Sequence, residues 1–355
     1  MQGILITTMI VTIFTAILAL LLTLADRTIG DYGQKYLKIN QEEPMLIDAG
    51  DTLLSTLLEQ KIFIPSACGG KGTCGYCKVK VLEGGGPVLP TELPWLSKEE
   101  LEDNVRLSCQ CKVKEDMKIE IPEELFNVKE YEVVVESIID MTPEIKKLRL
   151  RLPEGEQVNF KPGQFIQFKA PVYEGNDEEV FRAYSIASSP NTKDYIELLI
   201  GYVPGGICTT YVHKHLKEGD KVNINGPYGD FYYHDNRDRE MVMVGVGTGM
   251  APILSILRYM KEEKIDRKIK FYFGAKTPED LFLLDEMEEF KQAFTDFEFI
   301  PTLSRVTEEH NWTGETGRVN NALEKYVEEE ALKEAYLCGS PPMIDSVTEA
   351  LGKKG

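Results

Sequence analysis

Between Ile4 and Leu24 the chain runs for 21 residues without a charge, dominated by Ile, Leu, Val, Met and Ala. A helix of that length covers the roughly 30 Å of a bilayer's hydrocarbon, so residues 1–25 are expected to form a transmembrane anchor. A cleaved signal peptide fits less well: no basic residue precedes the run, the run is long, and the residues before Asp26 suit a cleavage site poorly. Thr8, Thr12, Thr15, Ala19 and Thr23 recur at helical spacing, a small and mildly polar stripe able to pack on other membrane helices or to face lipid. Arg27, Lys35 and Lys38 follow the helix, which favours a cytoplasmic carboxyl side.

Three further textures follow. From Lys35 to Ile121 the runs KYLKIN and CKVKVL, a helical stretch at 52–60 and a glycine-rich loop predict a small α+β module over 35–122. A polar connection then leads into alternating runs, YEVVVESIID, EIKKLRLRL, FIQFKA, YIELLIGYV and KVNINGP, with Gly and Pro turns between them. These predict an antiparallel β-barrel over 130–231. Beyond Gly229 strands and helices alternate (EMVMVGV, GTGMAP, ILSILRYMKEE, KIKFYFGA, FEFIPTL, EAYLCGS), the pattern of a parallel, doubly wound α/β sheet over 238–355. The fold class is therefore multidomain.

Composition narrows the function. A net charge of −18 and a pI near 4.8 argue against nucleic acid and anionic lipid as electrostatic partners, so anionic cofactors must be held by local donors. Of seven cysteines, Cys68, Cys74, Cys77, Cys109 and Cys111 fall within 44 residues, which suits metal ligation in a reducing compartment better than disulfides. His213, His215, His234 and His310 form no convincing ligand set.

Cys68, Cys74 and Cys77 are spaced C-x5-C-x2-C and Cys109 follows 32 positions later, so three thiolates on one loop and a fourth beyond it can wrap a [2Fe-2S] cluster. Gly69, Gly70, Gly72 and Gly75 let backbone N–H groups bend toward the cluster sulfurs. The plant-type spacing has one residue fewer between the first two ligands. Zinc is the competing reading, weakened by the C-x-C of Cys109 and Cys111 and by the density of glycine. Spacing on a strand does not choose between those two cysteines, since residues two apart share a face.

CGGKGTCGYCKVKV, the insert GGGPVLPTEL and RLSCQCKVKEDMKIEIP resemble the F subunit of the Na⁺-translocating NADH:quinone reductase. The resemblance implies that Cys109, in its LSCQ context, is the fourth ligand and Cys111 a neighbour. The insert, ending in Pro90, Thr91, Glu92 and Leu93, is otherwise expected to be an exposed loop without chemistry of its own.

Arg182, Tyr184 and Ser185 form R-x-Y-S at the end of a barrel strand, preceded by KPGQF at 161–165. Arginine can neutralise a pyrophosphate, tyrosine can pack on a flavin, and the serine hydroxyl can reach flavin N5, where hydride arrives. Gly205, Gly206, Ile207, Cys208 and Thr209 turn into a helix expected through Leu216, whose N–H groups and Thr209 hydroxyl can bind phosphate, although a simple capped helix explains them too. With GPYGDF at 226–231 the set resembles the ferredoxin-NADP reductase superfamily, and two phosphate contacts favour FAD over FMN.

Gly245, Gly247, Thr248 and Gly249 follow a buried strand and precede a helix with Pro252 near its start, where a missing N–H costs nothing. This departs from G-x-G-x-x-G and resembles the superfamily's GTGxAP turn. Cys338 and Gly339 close the last strand, where a soft thiol can lie against nicotinamide C4; a buried structural cysteine is the bland alternative. The family reads C-G-P-P there, whereas Ser340 is interposed here before Pro341 and Pro342. Ser304 and Arg305 could meet a 2′-phosphate, so NADPH is possible, but the resemblance, including FGAKTPEDLF, places NADH first.

The resemblance implies an enzyme of the inner membrane, single-pass with cytoplasmic domains, in which Ser185 and Cys338 serve hydride transfer from NADH to FAD. Electrons would pass through the cluster to other membrane subunits of a respiratory complex and finally to quinone (ubiquinone), sodium transport being done by those subunits. It also implies a further strand, with an aromatic residue covering the flavin, beyond the last helix; this sequence stops at Gly355. Two alternatives are a reductase component of a multicomponent oxygenase and a non-catalytic membrane-bound electron carrier or assembly partner.

Overall fold

The structure is a computed structural model that describes residues 2–29, 32–236, 238–328 and 332–354. Helix α1 (Gln2–Ile29) runs past the carboxyl end of the expected anchor. Its side chains from Met9 to Leu20 stand exposed. Thr12 and Thr15 donate their hydroxyls to the carbonyls of Thr8 and Val11 at 2.8 and 2.9 Å, so the helix backbone absorbs their polarity. The side chains of Ile4, Thr23, Leu24 and Arg27, on which parts of the anchor reading rest, lie outside the described residues. Among the described residues no helix is long and apolar enough to cross a membrane.

The chain divides into two compact units, Met1–Val128 and Lys129–Gly355. In the first, β1 (Gln34–Ile39), β2 (Met45–Asp48), α2 (Leu53–Glu59), β3 (Lys78–Glu83), α3 (Lys98–Glu102), β4 (Val105–Leu107) and β5 (Met117–Glu120) build a five-stranded sheet, ordered β2-β1-β5-β3-β4. Only β1 and β5 pair in parallel. Alternation sends Leu37, Ile39, Val79 and Ile119 to one face, where they meet Leu53 and Leu57 of α2 in a single core. Thr52 caps α2 by accepting the Ser55 N–H at 3.2 Å, and Ser97 and Glu100 form a capping box on α3, so both short helices start where the sequence supplies the cap.

The second unit begins with β6 (Lys129–Thr142), β7 (Ile145–Arg151), β8 (Phe165–Ala170), β9 (Val180–Ser185), β10 (Tyr195–Gly201), the one-turn helix α4 (Ile207–Thr210) and β11 (Lys221–Tyr228). The six strands form an antiparallel sheet ordered β10-β7-β6-β11-β8-β9. It curls until its edges meet at the bridge Ile186–Leu198, beside the Ala187 N–H bond to the Glu197 carbonyl at 2.8 Å. The expected helix through Leu216 is instead one α-turn followed by a π-helical turn at Tyr211–His215.

The remainder is β12 (Glu240–Val246), α5 (Met250–Glu262), β13 (Ile269–Ala275), α6 (Leu284–Ala293), β14 (Phe297–Leu303), β15 (Glu315–Thr316), α7 (Val319–Tyr326), β16 (Lys333–Cys338) and α8 (Pro341–Gly352). All five strands pair in parallel, in the order β15-β14-β13-β12-β16. Met241 and Met243 face α5 and α6, while Val242 and Val244 face α7 and α8. With both faces covered, the strands are continuous apolar runs rather than alternating ones.

Candidate functional site

The cysteine loop lies between α2 and β3, and Gly69, Gly70, Gly72 and Gly75 there take φ between +66° and +82°, a backbone that residues with a Cβ rarely adopt. The thiols fall in two pairs, Cys68 with Cys74 inside the loop and Cys77 with Cys109 from beyond β4. The Cys77 thiol, followed by the Gln110 side chain and the Gly72 N–H, holds Cys109 down at about 6 despite burial. Burial opposes charge on Cys68, but the Thr73 N–H and the Cys74 thiol bring it to about 7.

Among the described residues no group of three or more His, Cys, Asp or Glu side chains could hold one metal ion. Two separate thiol pairs suit a cluster whose two irons each take two thiolates. The expectation that Cys109 and Cys111 share a strand face is corrected by the fold. Strand β4 ends at Leu107, and a turn follows in which the Gln110 and Cys111 N–H groups both bond the Leu107 carbonyl, at 2.8 and 3.1 Å. The turn sends Cys109 to Cys77, whereas the buried Cys111 thiol lies 3.5 Å from the Gly85 carbonyl.

The insert is anchored from the same strand. Arg106, nearly buried on β4, donates Nη1 to the carbonyls of Gly85 and Gly86 at 2.7 and 3.0 Å and Nη2 to that of Pro87 at 3.0 Å. Its Nε and Nη2 grip both oxygens of the fully buried Glu92 at 2.9 and 2.7 Å, and Glu92 also accepts the N–H groups of Leu89 and Leu107. A carboxylate with this many donors is satisfied in a place where a bare charge would be costly.

Arg182, Tyr184 and Ser185 stand on β9, all six residues of which are half-buried. Arg182 donates Nη1 to the Phe181 carbonyl at 2.7 Å. Tyr184 packs edge-on against Phe168, with ring centroids 6.2 Å apart. Gly206 caps α4. The Thr209 hydroxyl is engaged in its own turn, 3.2 Å from the Val203 N–H and 3.1 Å from the Val203 carbonyl, so it is not directed at a phosphate.

In the dinucleotide half, Gly245, one residue before the end of β12, is in register with Cys338, the last residue of β16. Gly247, Thr248 and Gly249 form a single turn ahead of α5, which buries Pro252 in its first turn. The Thr248 methyl stands 3.2 Å from where Gly201 would carry a Cβ, so this turn abuts β10. Burial pushes the half-exposed Cys338 thiol up to about 11, which keeps it neutral. A cavity of about 370 Å³ opens at the carboxyl ends of β12, β13 and β14, the edge where open α/β sheets bind ligands. Gly247, Ser304 and Ser340 line it; Cys338, Gly339, Thr248, Gly249 and Arg305 do not.

Residues 37–114 match the 2Fe-2S iron-sulfur cluster binding domain, 132–233 the oxidoreductase FAD-binding domain and 243–349 the oxidoreductase NAD-binding domain. The chain is 38% identical over 384 residues to the F subunit of the Na(+)-translocating NADH-quinone reductase of Neisseria meningitidis, with 97% of this chain and 94% of the relative covered. It is 36% identical over 386 residues, with the same coverage, to that of Idiomarina loihiensis. The chain belongs to the family of Na(+)-translocating NADH-quinone reductase F subunits. Its cofactors are accordingly FAD, a [2Fe-2S] cluster and NADH. Two solved structures share the fold at length. Amycolatopsis cytochrome P450 reductase GcoB has a TM-score of 0.69 at 26% identity, over 90% of this chain and 95% of its own. The ferredoxin reductase in carbazole 1,9a-dioxygenase has 0.67 at 27%, over 91% and 95%.

In this member of the family the cavity adds residues that sequence patterns did not single out: Lys276, Asp280, Thr302, Arg318 and Asn320. Thr302 is notable because its buried hydroxyl has no hydrogen-bond partner. The signal available in sequence was positional, since these residues end or follow parallel strands. Also unforeseen was Arg258 on α5. It donates to the Ala187 carbonyl at 2.9 Å, to Glu197 on β10 at 2.8 Å and to both oxygens of Glu286 on α6 at 2.6 and 2.8 Å. With Ala187, Leu199 and Ile145 sharing a core with α5, it fixes the flavin sheet of the reductase against its dinucleotide half.

Proposed function

We propose that this chain is the electron-input subunit of an Na⁺-translocating NADH:quinone reductase, handing electrons to membrane-bound partner subunits and ultimately to quinone while other subunits move Na⁺. The single observation that carries this reading is family membership over nearly the whole chain, with two thiol pairs in the cluster domain. When bound, FAD takes hydride from NADH and releases single electrons to the two-iron cluster.

On this reading Cys68 and Cys74 hold one iron, and Cys77 and Cys109 the other. Arg182 faces the FAD pyrophosphate, Tyr184 supports the flavin, Ser185 presents its hydroxyl at N5, and the backbone of Gly206 and Thr209 receives phosphate. Gly245, Gly247, Thr248, Gly249, Pro252 and Gly339 shape the dinucleotide turn, with Cys338 as a neutral thiol beside the nicotinamide. Arg318 and Lys276, the latter paired at 2.8 Å with Glu144 of the same cavity, are the cations that meet an anionic dinucleotide in so acidic a protein. NADH comes first; Ser304 in the cavity wall keeps NADPH as the second choice.

Helix α1 anchors the chain in the inner membrane as a single pass, with the other domains cytoplasmic. The uncharged run from Ile4 to Leu24 and the exposed apolar side chains Met9, Ile10, Phe14 and Ile17 support this. A reductase for an oxygenase is the second reading, favoured by the likeness to GcoB. Fractionation with and without the first 25 residues separates the two. Under anaerobic conditions NADH is expected to bleach the flavin of the full chain and raise a low-temperature paramagnetic signal; persistent oxidised-flavin absorbance would exclude the reductase reading.

A further inference from the structure

The insert after β3 resembles a passive surface loop, yet one of its side chains reaches a cluster ligand through a single intermediary. Thr91, exposed near the end of the insert, donates its hydroxyl to Gln110 Oε1 at 2.9 Å. With Oε1 taken up by the hydroxyl, the amide nitrogen is the end that faces the cysteine. Gln110 Nε2 then lies 3.6 Å from Cys109 Sγ and 3.3 Å from the Cys109 carbonyl. The amide also occupies the space above Gly72, where a built Cβ would stand 2.7 Å from Nε2, so no other residue in the loop would let it lie there. Arg106 and Glu92 hold the insert in place behind Thr91 through their buried ion pair.

We propose that Thr91 is a positioning residue for the cluster: it locks the Gln110 amide so that an N–H is donated to Cys109, and thereby raises the reduction potential of the centre. This rests on the two-iron reading above. The direction follows from charge. A reduced cluster carries one more electron than the oxidised one, so a donor aimed at a ligand sulfur stabilises the reduced form more, and its loss makes the potential more negative. Were Thr91 absent, the amide could rotate and turn Oε1, an acceptor, toward the sulfur.

The test is a potentiometric titration of the full-length chain, prepared anaerobically with iron and sulfide and followed by electron paramagnetic resonance. Thr91→Val, nearly isosteric and on the surface, is expected to move the midpoint negative. Thr91→Ser, which keeps the hydroxyl, is expected to restore the wild-type value. Gln110→Glu, which has no donor, is expected to lower the equilibrium constant of cluster reduction by about tenfold or more, ~59 mV for one electron. A wild-type midpoint in Thr91→Val overturns the proposal, and so does an equal shift in Thr91→Val and Thr91→Ser, which would point to shape instead of the hydroxyl. Should Gln110→Glu not assemble a cluster, the threonine pair decides alone. No signal in the wild type would defeat the iron-sulfur reading itself, and this inference with it.

Discussion

The carbonyl of Cys338 occupies the place where Gly249 would carry a Cβ, so the turn before α5 and the end of β16 touch backbone to backbone. Neither can move without the other. Gly249→Ala must push the last strand away from the dinucleotide turn, and displacements of about 1 Å near reacting groups can cost roughly 10²-fold in rate. Stopped-flow reduction of the flavin by NADH is expected to slow by about that factor, with FAD content unchanged. An unaltered rate would mean that this contact does not set the hydride geometry.

Removing one partner of the Arg106–Glu92 pair leaves a buried, uncompensated charge. Glu92→Gln is expected to destabilise the first unit by about 3–5 kcal/mol, read from urea denaturation. Replacing both residues with apolar side chains of similar volume should cost less than either single change.

The same carboxylate predicts a pH dependence. Burial opposes its charge, but Arg106 and the N–H groups of Leu89 and Leu107 outweigh burial and hold Glu92 below the ordinary carboxylate range. The folded value is therefore below the unfolded one, near 4.3, and the unfolded chain binds the proton more tightly. Stability from this group is complete above that value and is lost as pH falls through the lower, folded one. The urea midpoint of the wild type should drop more between pH 6 and pH 3 than that of Glu92→Gln; parallel curves would refute the linkage.

Cys109 and Cys111 differ by two positions and face different neighbours. Cys109→Ala is expected to abolish the paramagnetic signal of the cluster, while Cys111→Ala keeps it. Cys68→Ala should leave NADH reduction of the flavin intact and stop electron delivery to the membrane partner. Loss of the signal in Cys111→Ala with retention in Cys109→Ala would reverse the assignment.

Where a residue's role is written in local spacing, the chain announced it. The thiol loop, the curled antiparallel sheet and the parallel sheet were all legible, because cysteine spacing, two-residue alternation and strand-helix alternation are short-range signals. The turn that separates Cys109 from Cys111 was not, since its hydrogen bonds to Leu107 form only once β4 ends. Nor was the engagement of the Thr209 hydroxyl with Val203, six residues back along the chain. Arg258 and Glu197 are 61 residues apart, and nothing near either one marks it as the other's partner.

Arg258→Met is accordingly expected to loosen the second unit by about 3 kcal/mol, the lower end for breaking a buried pair. For a body of this size that is a fall in Tm of roughly 6–12 °C, at ~2–4 °C per kcal/mol. Calorimetry of the flavin-loaded chain reads it directly, and a change of under a degree would show the guanidinium to be dispensable.

That guanidinium also bears on how the polypeptide can be taken apart. Because it stitches β10, α5 and α6 into one body, the flavin and dinucleotide halves offer no clean seam for transplantation into a chimera. The boundary between the two compact units falls instead at Val128 and Lys129. Modular exchange in this lineage of reductases would swap the iron-sulfur cassette as a piece and carry the two cofactor-binding halves together.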